Sequence, residues 1–182
     1  MKECERNSLI HAKSIVVYSK PVENHVLTEH PLVKAEFYIH QNIDFSRFIF
    51  SDKKKSTEEL NICFVGSFLK WHRVDLLLEV FAKITSENRQ NNLKLYLIGD
   101  GEEKLSCEER TKQLNLNNVI FTGFLDGIQL SSMQENMHIG IMPSSNWYGA
   151  PNKIFEYGAM NMACLAPRTP TIENIFPNNE VL

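Results

Sequence analysis

The sequence lacks the features that mark membrane, secreted or nucleic-acid-coating proteins. No apolar run approaches the roughly 18 residues needed to cross a bilayer. The first residues, Met1-Lys2-Glu3-Cys4-Glu5-Arg6, have no apolar core of the kind a secretion signal needs. Only four cysteines occur (Cys4, Cys63, Cys107 and Cys164), far apart and without a C-x-x-C pair. That argues against a disulfide framework and for a reducing, cytoplasmic setting. Cys63 and Cys164 lie inside apolar runs and read as buried thiols. Positive charge is not in excess: 19 Lys+Arg against 22 Asp+Glu leave a net charge of -3. A general nucleic-acid partner would need a basic footprint, so none is expected, while a local phosphate pocket stays open. The six histidines show no ligand spacing such as H-E-x-x-H, and no metal site is expected. No G-x-S-x-G, Walker A or G-x-G-x-x-G segment appears, so hydrolase, ATPase and dehydrogenase readings lose ground.

What is present is a balanced globular chain of 182 residues, 43% hydrophobic and 23% charged. That length is one domain, or one plus a fragment, and buries about 70% of its unfolded surface. From about residue 61 onward, short β-rich runs alternate with helical stretches. The expected strands are 62–66 (ICFVG), 93–99 (LKLYLIG), 119–123 (VIFTG), 138–143 (HIGIMP) and 162–167 (MACLAP). Their continuous apolar character suggests burial on both faces, as in a parallel sheet. Helices are expected at 74–88, where Leu77, Leu78, Phe81 and Ile84 recur at helical spacing, and at 102–114, 127–136 and 152–160. This βαβ series predicts an α/β fold, a Rossmann-like doubly wound parallel sheet. The leading residues differ: strands at 12–19 and 35–40, a helix at 21–28, then a charged boundary loop at 51–60 (SDKKKSTEEL).

Ligands of open parallel sheets bind beyond the carboxyl ends of the strands, so the loops there carry the candidates. Gly66, Gly99 and Gly123 close the first three strands. The first loop adds His72 and Arg73 as phosphate candidates and Trp71 as a wall, against the plainer reading of surface charge beside a core tryptophan. The fourth loop, from Pro143 to Lys153, is the most informative. It leads into a helix whose N-terminal amides suit a phosphate, with Lys153 adding a full charge. Glu156, one turn on, has the wrong sign for a phosphate but suits a pair of sugar hydroxyls. Together they suggest a nucleotide with its ribose, or else an ordinary exposed i, i+3 ion pair.

Taken together, the loops resemble the C-terminal half of GT-B glycosyltransferases, specifically the retaining family 4 enzymes. The likeness runs from about Ser8 to Leu182 and rests on four blocks in order: FVGSF…WH…VDLL from Phe64, LYLIGDGE from Leu95, VIFTGF from Val119, and YGAPNKIFEY from Tyr148. The last is similar to the Y-G-S-P-x-K-x-x-E-Y element of many bacterial members. Ile39-His40-Gln41-Asn42-Ile43-Asp44…Phe48 is similar to the stretch where these enzymes pass between domains. The resemblance implies that residues 1–52 are the remnant of an N-terminal acceptor domain with its hinge. Residues 53–182 would be a nucleotide-sugar-binding domain that stops short of its own C-terminus, the chain being about half of a two-domain enzyme.

It further implies roles. Lys153 and His72 would stabilise the leaving diphosphate with no metal cofactor. Gly66, Ser67 and Gly99 would line the donor site, Phe124 and Leu125 would border the base, and Glu156 would take the ribose hydroxyls. Tyr148, Gly149, Pro151, Asn152 and Ile154 would lie along the sugar and diphosphate. Three positions depart from the family pattern. Ser67 stands where an arginine often sits, and Tyr148 stands where the first glutamate of E-x7-E falls, while His72 replaces a frequent lysine. The implied partners are a nucleotide-sugar, a glycan or lipid-linked acceptor and the missing N-terminal domain. The cytoplasmic face of a membrane is the usual family setting, which leaves room for peripheral membrane association. The isolated chain would bind donor without turning over. The departures favour an alternative, a non-catalytic nucleotide-sugar- or protein-binding module that kept the fold. A receiver-like regulatory domain ranks last, because Gly66-Ser67-Phe68 offers no acidic cluster.

Overall fold

The computed structural model describes residues 2–41, 43, 44, 46, 55–87 and 92–177. The Asn42 and Phe48 positions of the interdomain stretch, residues 51–54 of the charged loop and the chain's last five residues lie outside them. The chain divides into two compact units.

Among the described residues, the larger unit comprises 44, 46, 55–87, 92–145 and 153–167. Its strands are β3 (Leu60–Val65), β4 (Leu93–Ile98), β5 (Val119–Gly123), β6 (Ile139–Ile141) and β7 (Ala163–Leu165). They form one parallel sheet in the order β5-β4-β3-β6-β7. Helices α3 (Val74–Glu87), α4 (Lys104–Gln113), α5 (Gly127–Gln134) and α6 (Asn152–Ala159, apart from its first residue) make the crossovers. The sheet is therefore the doubly wound, Rossmann-like one expected. Its strands alternate between two cores. Ile62, Phe64, Leu95 and Leu97 pack with Leu77, Leu78 and Phe81 of α3 on one face. Cys63 and Ile98 pack with Tyr157 and Met160 on the other, joined by Met137 and Met162. α5 opens on a full capping box, with Asp126 accepting from the Gln129 amide at 2.9 Å and Gln129 reaching back.

The chain winds outward from β3 through β4 to β5, then returns to place β6 on β3's other side. The switch point therefore lies between β3 and β6, the place where open parallel sheets bind their ligands. The β3–β6 ladder is short, pairing Ile62 with Ile139 and Cys63 with Gly140. Beyond it the Tyr157 hydroxyl takes over. It accepts from the Val65 amide at 3.0 Å and donates to the Ile141 carbonyl at 3.3 Å. The Tyr157 ring lies flat against Gly140, where a Cβ would sit 2.3 Å from it.

Three expectations need correction here. The segment 51–60 is not simply a linker: Leu60 already opens β3, and Lys55 donates to the carbonyls of Met160 (2.9 Å), Asn161 (2.8 Å) and Met137. A lysine there satisfies the carbonyls left over where α6 ends and β6 approaches. Cys164 is half-buried rather than buried, because β7 is an edge strand, whereas Cys63 on the central strand is fully enclosed. Trp71 is not core, being 50% exposed.

Among the described residues, the smaller unit comprises 2–41, 43, 146–152 and 168–177. It contains α1 (Lys2–His11), β1 (Ser14–Val17), α2 (Lys20–Glu29), β2 (Glu36–Ile39) and α7 (Pro170–Ile175). β1 and β2 pair in parallel, Ser14 opposite Glu36 through Val17 opposite Ile39. α1 and α7 were not expected. α1 has little apolar periodicity, and α7 is one short stretch started by Thr169, whose hydroxyl accepts from the Ile172 amide, with Pro170 at its first position. Ser19 and Thr171 join α2's start to α7 through a buried 3.0 Å hydroxyl pair.

Candidate functional site

β3 ends on Val65, and the chain turns at Gly66 with φ +150°. Only glycine adopts this readily, and a Cβ there would also sit 2.7 Å from Lys153 Cε and 3.0 Å from its Nζ. The bare backbone at Gly66 is thus the seat on which the Lys153 side chain lies. Gly99, at the end of β4, backs onto the same turn: its Cβ would be 2.0 Å from the Gly66 carbonyl oxygen. The neighbouring loops are zipped together, with the Phe68 amide donating to Asp100 and the Glu103 amide to Phe68, both at 2.9 Å. The β3 loop is accordingly held rigid at its base.

Lys153 Nζ stands 5.8 Å from the centroid of the Phe64 ring. The His72 ring meets the same phenylalanine edge-on at 5.8 Å. His72 sits in a single 3-10 turn, Lys70–His72, and its Nδ1–H donates to the Ser67 carbonyl at 2.6 Å. That bond fixes the tautomer, leaving Nε2 as the other face of the ring. Burial lowers the His72 pKa, the Ser67 carbonyl opposes that, and the nearby Lys153 charge lowers it further. Burial likewise lowers the Lys153 pKa, with Glu156 pulling the other way. Two basic groups therefore pack against one apolar ring, each partly stripped of water, and the Lys153 charge further disfavours charge on His72. An anion placed between them would relieve both.

The structure brings together Gly66, Ser67, Gly99, His72 and Lys153, with Glu156 electrostatically linked to Lys153. Ile154 is buried, so only its backbone is available. After β5, Phe124 is 78% exposed, whereas Leu125 packs beside the Tyr157 core. Tyr148, Gly149, Pro151 and Asn152 belong to the smaller unit, Pro151 fully buried and Tyr148 half exposed. Sequence reasoning gave no part to Phe64 or Tyr157. The ring of one packs against both basic groups, and the hydroxyl of the other bridges the ends of β3 and β6. The signal for Tyr157 was an aromatic directly after Glu156 on the buried side of an amphipathic helix.

The sequence model of the family described as glycosyl transferases group 1 matches residues 59–181. The chain belongs to this family. It is 27% identical over 164 residues to the uncharacterized glycosyltransferase MJ1059 of Methanocaldococcus jannaschii, covering 86% of this chain and 35% of that protein. Among solved structures, TarM of S. aureus superposes with a TM-score of 0.78 at 17% identity, over 98% of this chain and 34% of its own. HepE of Anabaena, in complex with UDP and glucose, gives 0.71 at 13% identity, over 97% and 50%. This group 1 chain thus spans about a third of the curated relative's length. Among its described residues, no helix is long and apolar enough to cross a membrane.

Proposed function

We propose that this chain carries the donor-binding half of a retaining, family 4-like glycosyltransferase. It would bind a nucleoside diphosphate sugar whose sugar passes to a glycan or lipid-linked acceptor. The observation that carries the reading is Lys153 laid across Gly66 beside His72, at the switch point of the sheet. Two basic groups there meet the diphosphate as it leaves, stabilising the negative charge that develops on its bridging oxygen. Lys153 supplies positive charge there, and an approaching phosphate favours the protonated form of His72. No metal is part of this reading. Glu156, one helical turn from Lys153, accepts from the ribose hydroxyls, and Phe124 and Leu125 border the base. The TarM and HepE structures hold UDP, which supports a uridine diphosphate donor class. An acceptor-binding N-terminal domain completes the enzyme, at the cytoplasmic face of a membrane, and the isolated chain binds without transfer.

The test is a calorimetric titration with UDP, GDP and ADP. Lys153→Ala and Glu156→Ala should each weaken the preferred nucleotide by at least about tenfold, roughly 1.4 kcal/mol. Affinity unchanged within about twofold in both variants would remove the site. Transfer to acceptor by the 182-residue chain alone would remove the assignment of the acceptor half elsewhere.

A further inference from the structure

Lys55 belongs to no helix or strand, yet it fastens one of each together. Its ammonium donates to the carbonyls of Met160 at 2.9 Å, Asn161 at 2.8 Å and Met137. Three protons meet three acceptors, so the group is fully used. The first two carbonyls close the end of α6, and the third lies two residues ahead of β6. The chain beside Lys55 is anchored too. The His138 ring donates from Nε2 to the Ser56 carbonyl at 2.7 Å and accepts from the Asn61 amide at Nδ1, 3.0 Å away. The Asn61 side chain donates in turn to the Asn136 carbonyl at 3.0 Å. Lys55 is thus a post set at the start of β3 and β6, with the last carbonyls of α6 tied to it.

α6 is the helix whose second residue is Lys153. As a crossover of a parallel sheet it runs back against the strands, so its first turn lies where Lys153 rests on Gly66, and its last turn lies at the opposite edge. Apolar packing of Ile154 and Tyr157 tolerates small slides, whereas directional bonds do not. Such bonds act on α6 at its middle, through the Tyr157 hydroxyl, and at its end, through Lys55. Lys153 is four residues ahead of Tyr157, roughly 6 Å, and Met160 three behind, roughly 4.5 Å. With Tyr157 as the pivot, a displacement at the Lys55 end reappears at Lys153 at no smaller size. We infer that Lys55 is a positioning residue for the diphosphate site, setting where Lys153 lies over Gly66 by fastening the far end of α6 to the sheet. The geometry stands by itself, and its consequence for binding rests on the nucleotide reading above. A shift of about 1 Å in a group that must meet a diphosphate is costly. The Lys55 charge by itself counts for little, about twofold in affinity across roughly 10 Å of water.

Lys55→Met keeps the aliphatic stem and removes the ammonium. Amide NMR should show the Gly66 signal displaced, although Gly66 stands at the other end of β3 from Lys55. Calorimetry with UDP-glucose, at a temperature where circular dichroism is unchanged, should show at least a fivefold loss of affinity. Phe81→Leu, which loosens the core on the other face of the sheet, should leave the Gly66 signal in place and the affinity within twofold. A Gly66 signal that stays put in Lys55→Met overturns the inference. An affinity loss matched by Phe81→Leu overturns it as well, as does an unchanged affinity where the unsubstituted chain binds. A displaced Gly66 signal with no UDP-glucose binding in either form upholds the placement of Lys153 by Lys55 and removes the nucleotide reading alone. Should Lys55→Met fail to fold, Lys55→Arg is read in the same way. It keeps the charge but offers a flat fork to three converging carbonyls.

Discussion

In the larger unit, β3 is buried along four consecutive residues, Asn61 to Phe64, with a helical layer packed on each face of the sheet. In the smaller unit, β1 and β2 bury Val17 alone, while Val16, Tyr38 and Ile39 are each at least half exposed. Parallel strands normally need cover on both faces. The five-stranded unit supplies its own cover, and the two-stranded one relies on a few polar contacts such as Ser19–Thr171 and the Lys20 amide to Asn174 at 3.1 Å. The difference teaches where precision resides. Lys153 and His72 stand on the unit whose backbone is over-determined by packing, and Tyr148 stands on the one that is not.

The sharpest way to break that contrast is to disturb the brace at the switch point. Gly140→Ala would drive a methyl to 2.3 Å from the Tyr157 ring, with the β6 backbone and a fully buried side chain both unable to yield. Such overpacking costs about 3 kcal/mol. Urea unfolding should show that loss, and hydrogen exchange should place it in β3 and β6. Val16→Thr in the smaller unit, on an exposed strand face, should change stability by no more than about 0.5 kcal/mol. Equal effects from the two substitutions would erase the distinction between the units.

Tyr157→Phe is gentler and more specific. The ring keeps its place against Gly140 while the Val65 amide loses its 3.0 Å acceptor in a part-buried setting. Losing that bond costs about 1 kcal/mol. The same variant should raise the nucleotide Kd several-fold, because the hydroxyl spans the ends of β3 and β6. Loss of stability without loss of affinity would reduce Tyr157 to a core residue.

These two residues also mark how far the sequence could be read. The sheet was legible because β3 and β4 are continuous apolar runs and α3 repeats its leucines at helical spacing, both of which survive any change of context. Lys153 and Glu156 were legible because they share a helix face beyond a strand end. Cover from distant residues was not: Lys55 reaches carbonyls some 80 to 106 positions away, and nothing local to a charged run announces that. Nor was the register of β3 on β6, which decides that Tyr157 rather than a further ladder bond serves Val65. α7 escaped for the same reason, since its ties are to Ser19 and Lys20, about 150 residues earlier.

A comparable effect probes the weaker unit. Ser19→Ala removes one hydroxyl of the buried pair with Thr171, worth about 1 kcal/mol. Hydrogen exchange should quicken at the α7 amides while those of β3 stay protected. Quickening across both units together would mean that they unfold as one.

The smallest effect, and the one most telling for the site, is the pH response of donor affinity. Burial and the Lys153 charge hold the His72 pKa below the 6.5 usual for a histidine, while the Ser67 carbonyl opposes them. The folded, empty protein then binds fewer protons at His72 than the unfolded chain. Its contribution to stability is intact above about 6.5 and falls away as pH drops below that value. A bound diphosphate reverses the local field, raises the His72 pKa and favours the imidazolium. UDP-glucose should therefore bind about two- to threefold tighter at pH 6 than at pH 8. The sugar diphosphate is the right probe because its phosphates carry no second proton, whereas a terminal phosphate titrates near pH 6, loses negative charge at the lower pH and would mask the signal. His72→Lys should bind more tightly at pH 8 and lose the dependence between the two values. A flat profile in the unsubstituted chain would take His72 out of the phosphate site and leave Lys153 there alone.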